Sequence, residues 1–174
     1  GGGGGGGGGG GTAWETRAVL LLWLGVLALI PFDLVTVDTA AVGMDLSAGG
    51  APPLVRRVTQ LCLRYLEDPG MVREAAGGLL ARLLTRPDMR GPLSEFLSWA
   101  RAALSAPDDG SQAAVFRVPG AAHALAAALK LGSRAALLPV AAEMWPDVAA
   151  LSASPAARGS SLVRRLATKL AQRL

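Results

Sequence analysis

Residues Trp14–Leu34 read WETRAVLLLWLGVLALIPFDL, and from Ala18 to Ile30 every position except Gly25 is apolar. The Thr12 hydroxyl is spaced to accept from the Glu15 amide, and the Glu15 carboxylate to reach back to the Thr12 amide, so a capping box opens a helix here. Pro31 has no amide hydrogen and clashes with the preceding turn, so the helix ends or kinks there. Leu20, Leu21, Leu22, Leu24, Leu27, Leu29 and Ile30 do not share one narrow stripe. A helix apolar on every side is buried in a core or lies in a membrane. Thirteen apolar residues between Arg17 and Asp33 fall short of the roughly 18 that a membrane span needs. The expectation is a helix docked on all sides among other helices. A membrane-associated segment over residues 18–32 is the alternative.

The rest of the chain reads as further helices. Pro53 opens one in which Leu54, Val58, Leu61, Cys62 and Tyr65 form an apolar face. Asp68 and Pro69 read as the cap and first turn of the next, over residues 70–85, with Val72, Ala75, Ala76, Leu79, Leu80, Leu83 and Leu84 inward. Gly77 and Gly78 in its middle cost about 1 kcal/mol each relative to Ala. They are read as a close helix contact, because a phosphate loop needs a preceding strand and a helix start. Pro87 ends that helix, and another spans residues 92–106 with Leu93, Phe96, Leu97, Ala100 and Leu104 on one face. Residues 105–112 form a polar linker, and 113–118 are ambiguous between a helical turn and a strand. A small-residue helix over 121–131 is closed by Gly132. Ser133 caps the next, which Pro139 and Pro146 kink. The last carries Leu162, Leu166, Leu170 and Leu174 in a stripe beside Val163 and Ala167.

Helix centres near residues 60, 99 and 142 recur at steps of 39 and 43 residues. A two-helix repeat of about 40–47 residues is the HEAT or armadillo period, in which each pair buries its apolar face only against its neighbours. No strand pair is evident. The expected fold is all-α, a HEAT/armadillo-like solenoid of stacked antiparallel helix pairs over residues 12–174. Residues 31–53 form a long loop, unless they hide a short helix. Gly1–Gly11 form a flexible tether.

The composition bounds the function. Of 174 residues, 51% are hydrophobic and 17% charged, against a usual charged share of about 25%, so the chain can build a core. A net charge of +4 is modest for nucleic-acid binding and suits an acidic protein partner. Cys62 is the only cysteine, which rules out an internal disulfide and fits a reducing compartment. Residue 1 is Gly rather than Met, and the chain is read as an internal fragment.

No metal spacing, nucleophile elbow or phosphate cradle is present. His123, the sole histidine, has no carboxylate or cysteine near it in sequence and is read as packed or on the surface. Cys62 is read as filling space on its apolar face. No catalytic residue, cofactor or metal ligand is assigned. Trp14, Trp23, Trp99 and Trp145 are expected as core anchors. The polar pattern is basic: Arg56, Arg57, Arg64, Arg82, Arg86, Arg164, Arg165, Lys169 and Arg173 lie on or beside polar helix sides. Of these, Arg56, Arg57, Arg64, Arg164, Arg165, Lys169 and Arg173 are the candidate partner-binding set. Equivalent helices of a solenoid line one surface, where such residues align.

Several stretches carry a resemblance. WETR, LLLWL and LIPFDL in the first helix, then RYLEDPGMVREAAGGLLARLLTRPDM with its Thr85–Asp88 motif, EFLSWARAAL and the closing VRRLATKLAQRL resemble the tubulin-folding cofactor D family. The likeness covers most of residues 12–174, with gaps near 39–53 and 105–120. Its specific parts are the first block and the TRPD segment. Where the family usually has a bulkier, often aromatic residue, this chain has Ala18. The resemblance implies a large HEAT-repeat chaperone, non-catalytic and cytoplasmic on the microtubule cytoskeleton. It would bind β-tubulin and work with other tubulin-folding cofactors and an ADP-ribosylation-factor-like small GTPase to assemble or dissociate the tubulin heterodimer. Neither nucleic acid nor membrane is implied as a partner.

Overall fold

A computed structural model describes residues 12–41, 50–105 and 112–174. The expectations placed on Gly1–Gly11, on the Thr12 side chain and on most of the 105–112 linker lie outside the described residues. Nine α-helices are found among those described: α1 (Thr12–Leu27), α2 (Leu34–Val37), α3 (Pro53–Tyr65), α4 (Met71–Leu84), α5 (Arg90–Ser105), α6 (Gln112–Leu131), α7 (Arg134–Ala153), α8 (Pro155–Gly159) and α9 (Ser161–Ala171). A 3-10 turn spans Thr39–Ala41. No strand occurs among the described residues.

The helices form two layers. In one, α1 packs on α4, α4 on α6, and α6 on α9; in the other, α3 covers α4, α5 covers α6, and α7 covers α9 and touches α5. The helices of this covering layer start at Pro53, Arg90 and Arg134, so successive starts lie 37 and 44 residues apart. The expected helical-pair period is present, and the chain is an all-α solenoid of stacked pairs. Its core is continuous, because each pair leaves an apolar face that the next must cover. Leu66, Leu79, Leu80, Leu84, Met89, Leu125, Met144 and Leu170 are sealed within it.

Small residues set how closely the central helices approach. A Cβ on Gly77 of α4 would lie 2.5 Å from His123 Cδ2 and 3.4 Å from Ala124 Cα of α6. One on Gly120 of α6 would lie 2.3 Å from the Leu66 carbonyl oxygen at the end of α3. The expected close contact at Gly77 is therefore found. Gly120 is likewise required by a crossing. Helix α6 runs through Pro119 and starts nine residues earlier than its periodicity suggests. Gly70 precedes α4 with φ +77° and stands at its cap, where Asp68 was expected. Ser133 does cap α7, accepting from the Ala136 amide at 3.2 Å.

Helix α1 departs most from expectation. Ala18, Leu21, Gly25 and Ala28 are buried, and they form one stripe against α4. Val19, Leu20, Leu22, Trp23, Val26 and Leu27 are exposed, Trp23 at 70%. The helix is thus covered on one side and open on the other, not docked all round. The tryptophans follow suit: Trp14, Trp23 and Trp145 are exposed, while Trp99 is half-buried and stacks on Phe96 with ring centroids 5.9 Å apart. The pattern of α3 is also rotated, since Val55, Cys62 and Leu66 are buried whereas Leu54 and Leu61 are exposed.

Candidate functional site: the corner of the array and its outer surfaces

The TRPD segment is a clamp. Arg86 follows α4 in the turn to α5, and each N–H of its guanidinium is used. Nη1 donates to the carbonyls of Ala28 at 2.8 Å and Ile30 at 2.7 Å. Nη2 donates to the Phe32 carbonyl at 2.6 Å and to Asp88 Oδ2 at 3.2 Å, and Nε donates to Asp88 Oδ1 at 2.9 Å. Asp88 Oδ2 also accepts from the Leu34 amide at 3.2 Å, so the start of α2 is held by the same pair. The planar fork of an arginine suits this arrangement, and a lysine could not reproduce it. Burial raises the Asp88 pKa, but the Arg86 hydrogen bonds and charge and the Leu34 amide outweigh that and hold it below the ordinary carboxylate value. The carbonyls that a helix end leaves unsatisfied are thus answered from another helical pair. Arg86 was expected on a solvated polar side; its side chain is 12% exposed because it is consumed by backbone.

The chain from Pro31 to Pro53 was expected as a long loop and contains α2 and the 3-10 turn. Asp38 is buried within it. Its Oδ2 accepts from the Leu54 amide at 2.7 Å and its Oδ1 from the Ala40 amide at 3.0 Å. A carboxylate there satisfies a free donor of the first turn of α3 and complements the helix dipole. Pro52, at the cap position, makes no side-chain bond to that helix end. Sequence reading missed Asp38; its only signal was an acidic residue ahead of a helix whose own cap is a proline.

The candidate partner-binding residues divide between two places. Arg56, Arg57 and Arg64 are exposed on α3; Arg164, Arg165 and Lys169 are exposed on α9, with Arg173 half-buried just beyond it. Helices α3 and α9 belong to different layers and to the first and third pairs, so the structure gathers the set into two patches. Within them Arg56 donates to the Ala51 carbonyl at 3.3 Å, Arg164 to the Arg158 carbonyl at 3.3 Å, and Arg173 to the Ala126 carbonyl. Arg57, Arg64, Arg165 and Lys169 form no ion pair among the described residues. Other arginines hold the layers together. Arg101 of α5 donates to Asp147 at 2.7 Å and Glu143 at 3.1 Å on α7. Arg117 of α6 bonds Glu67 at 3.3 Å.

No catalytic constellation emerges among the described residues. Cys62 is sealed on the inner side of α3, and burial pushes its thiol up to about 12, which leaves it protonated and unreactive at neutral pH. His123 is half-buried beside Gly77, and burial lowers its pKa against an opposing pull from Glu74. No group of three or more His, Cys, Asp or Glu side chains able to hold a metal occurs among the described residues. A cleft of about 610 Å³ lies between the last turns of α5 and α7, the first half of α6, α8 and the start of α9, lined by Leu104, Val118, Pro119, Leu151, Pro155 and Val163 among others. The hydroxyls at its edge, Ser154 and Ser160, are engaged as caps of α8 and α9. No helix among the described residues is long and apolar enough to cross a membrane.

Comparison with known proteins identifies the array. The family model described as "Tubulin-specific chaperone D-like, ARM repeat" matches residues 9–104, which take in α1 to α4, all but the last residue of α5, and the Arg86–Asp88 clamp. The tubulin-specific chaperone D of Dictyostelium discoideum is 29% identical over 96 residues, 50% of this chain and 6% of that protein. The chain therefore spans a small part of the curated relative's length. No solved structure matches it. With over half of its length matched by that model and its helices stacked in pairs at the repeat period, the chain belongs to the tubulin-specific chaperone D-like armadillo-repeat family.

Proposed function

We propose that the chain is part of a non-catalytic chaperone scaffold that binds β-tubulin. In this reading it acts in tubulin heterodimer assembly and disassembly with other tubulin-folding cofactors and an ADP-ribosylation-factor-like small GTPase, in the cytoplasm and on the microtubule cytoskeleton. The observation that carries the proposal is the match of residues 9–104 to the chaperone D-like repeat. A two-layer helical array supports it, because such arrays present extended surfaces for protein partners. The unpaired cations of the two basic patches support an acidic partner; rim charges of this kind act mainly on association rate and its salt dependence.

The test is capture of purified tubulin by the full-length protein at low and at moderate ionic strength. Binding that weakens with salt is expected. Charge reversal at Arg57 and Arg64, or at Arg165 and Lys169, should slow association about tenfold through the patch that is used, within the range over which electrostatic steering acts. Failure of the full-length protein to retain tubulin at any salt would overturn the proposal.

A further inference from the structure

We propose that the pocket formed by the last turn of α6, the first turns of α7 and the chain just past α9 binds an acidic peptide segment of a partner protein, through its carboxylates and one apolar side chain. The inference rests on the acidic-partner reading above and deepens it, because it selects one of the two basic surfaces and states what docks there.

The pocket carries uncompensated positive charge. Lys130, Arg134 and Arg173 line a volume of about 400 Å³, and none of its described lining residues is acidic. Lys169 stands one turn before Arg173, and its charge acts on His123 of α6. Glu74, the carboxylate that acts on His123 from α4, does not line the pocket. Lys130, Arg134 and Lys169 are exposed, and none forms an ion pair among the described residues. Arg173 donates to the Ala126 carbonyl, which fixes it against α6. The helix ends do not cancel this charge. The C-termini of α6 and α9 contribute about −0.5 each and the start of α7 about +0.5, against four full cations. A concave wall of one sign focuses the field and raises the local concentration of an opposite charge.

The floor is apolar and preformed. Leu137 is buried and lies over Gly132, where an added Cβ would come within 2.5 Å of its Cδ1 and 3.0 Å of the Ala128 carbonyl oxygen. The Ser133 cap fixes the same turn. Leu129 is half-buried, and Leu138 at the rim is 71% exposed. Ligand pockets span about 300–1,000 Å³, so this one is at the small end and accepts one branched or aromatic side chain with backbone on either side. The cations stand on two stretches, the α6–α7 turn and α9, which matches a row of carboxylates better than a single phosphate. None of the described lining residues is aromatic, whereas single-stranded nucleic acid is held on aromatic stacking platforms. An acidic peptide with an apolar anchor fits both the charge and the floor.

Fluorescence anisotropy with the full-length protein tests this. The probe is a labelled peptide of alternating Glu and Gly around a central Phe; its two counterparts carry Gln for Glu, or Gly for Phe. The first peptide should bind saturably at low salt, the Gln peptide should not bind, and the Gly peptide should bind several-fold more weakly. Lys130→Gln combined with Arg134→Glu should raise Kd about tenfold, and Leu138→Ala should raise it several-fold. All three side chains are exposed, and a negative charge at position 134 suits the start of α7, so the melting midpoint should hold. Arg57→Glu combined with Arg64→Glu on α3 should leave Kd unchanged. The proposal is overturned by no binding of the acidic peptide, by equal binding of the Gln peptide, by a Kd indifferent to the pocket variants, by loss of binding at α3 instead, or by equal competition from a DNA oligonucleotide of the same charge. Tubulin capture run in parallel separates the two readings. Peptide binding at the pocket without tubulin retention leaves this proposal standing and removes the chaperone reading; tubulin retention with a Kd indifferent to the pocket variants does the reverse.

Discussion

Helices α1 and α4 look alike as sequences and differ as structure. Both are apolar around most of their circumference, both lie in the same layer, and they pack on each other. Yet α4 is enclosed by α1, α3 and α6, and Val72, Ala75, Ala76, Leu79, Leu80, Leu83 and Leu84 are all buried. In α1 the buried positions reduce to the stripe Ala18, Leu21, Gly25 and Ala28. An all-round apolar helix is therefore a statement about how many neighbours the helix is built for. In a solenoid those neighbours come from adjoining repeats, so the end of any stretch of repeats shows surface that the middle hides.

The clamp that joins the two helices offers the largest effect. Arg86→Met should destabilise the chain by about 3–5 kcal/mol, the range for removing one partner of a buried, hydrogen-bonded charge pair. Arg86→Lys should not restore it, because an ammonium cannot span the carbonyls of Ala28, Ile30 and Phe32 together with Asp88. Chemical denaturation of the variants checks this. Side-chain truncation should separate the helices next. Leu80→Ala in α4, where the side chain is fully buried, should cost about 3 kcal/mol, within the range for core Leu→Ala. Leu20→Ala in α1, where it is 56% exposed, should stay within about 0.5 kcal/mol. Equal costs would erase the distinction.

The glycine pair of α4 sharpens it further. Gly77→Ala should destabilise by about 1–3 kcal/mol, since the new Cβ meets His123 on α6 at 2.5 Å. At Gly78 a Cβ would meet the movable Arg82 Nη1 at 3.4 Å, so Gly78→Ala should be neutral or gain up to about 1 kcal/mol from helix propensity. Thermal melts distinguish the two.

The smallest effect is pH-dependent. Burial lowers the His123 pKa below its ordinary 6.5, with Glu74 opposing, so the folded chain holds the neutral imidazole. The sign follows by linkage: the contribution is complete above about pH 6.5 and is lost as pH falls through the lower folded value. The melting temperature should drop on acidification from pH 7 to 5, and His123→Gln should flatten that slope. A steeper slope in the variant would contradict the assignment.

These particulars also mark how far the sequence could be read. The inward faces of α4, α5 and α9 were legible because their apolar residues repeat at helical spacing. The face of α3 was misplaced because Leu54 and Leu61 compete with Val55 and Leu66 for the same period, and only the packing against α4 decides between them. Helix α6 was read too short, since residues 113–118 were ambiguous between a helical turn and a strand, whereas the helix runs through them and through Pro119. Pairings across sequence were invisible: the reach of Arg86 to Ala28, Ile30 and Phe32, and of Asp38 to Leu54, depends on topology. The resemblance singled out TRPD as specific, but periodicity gave it no role. The basic residues were legible as a set, and their separation onto α3 and α9 was not.

Amide hydrogen exchange across α1 and α4 in this chain tests the central claim most directly. The α4 amides from Ala75 to Leu84 should exchange only through global unfolding, and the α1 amides from Ala18 to Leu27 should open at clearly lower free energy. Uniform, maximal protection of both helices would contradict a one-sided α1, and rapid exchange throughout α4 would contradict the stacked array itself.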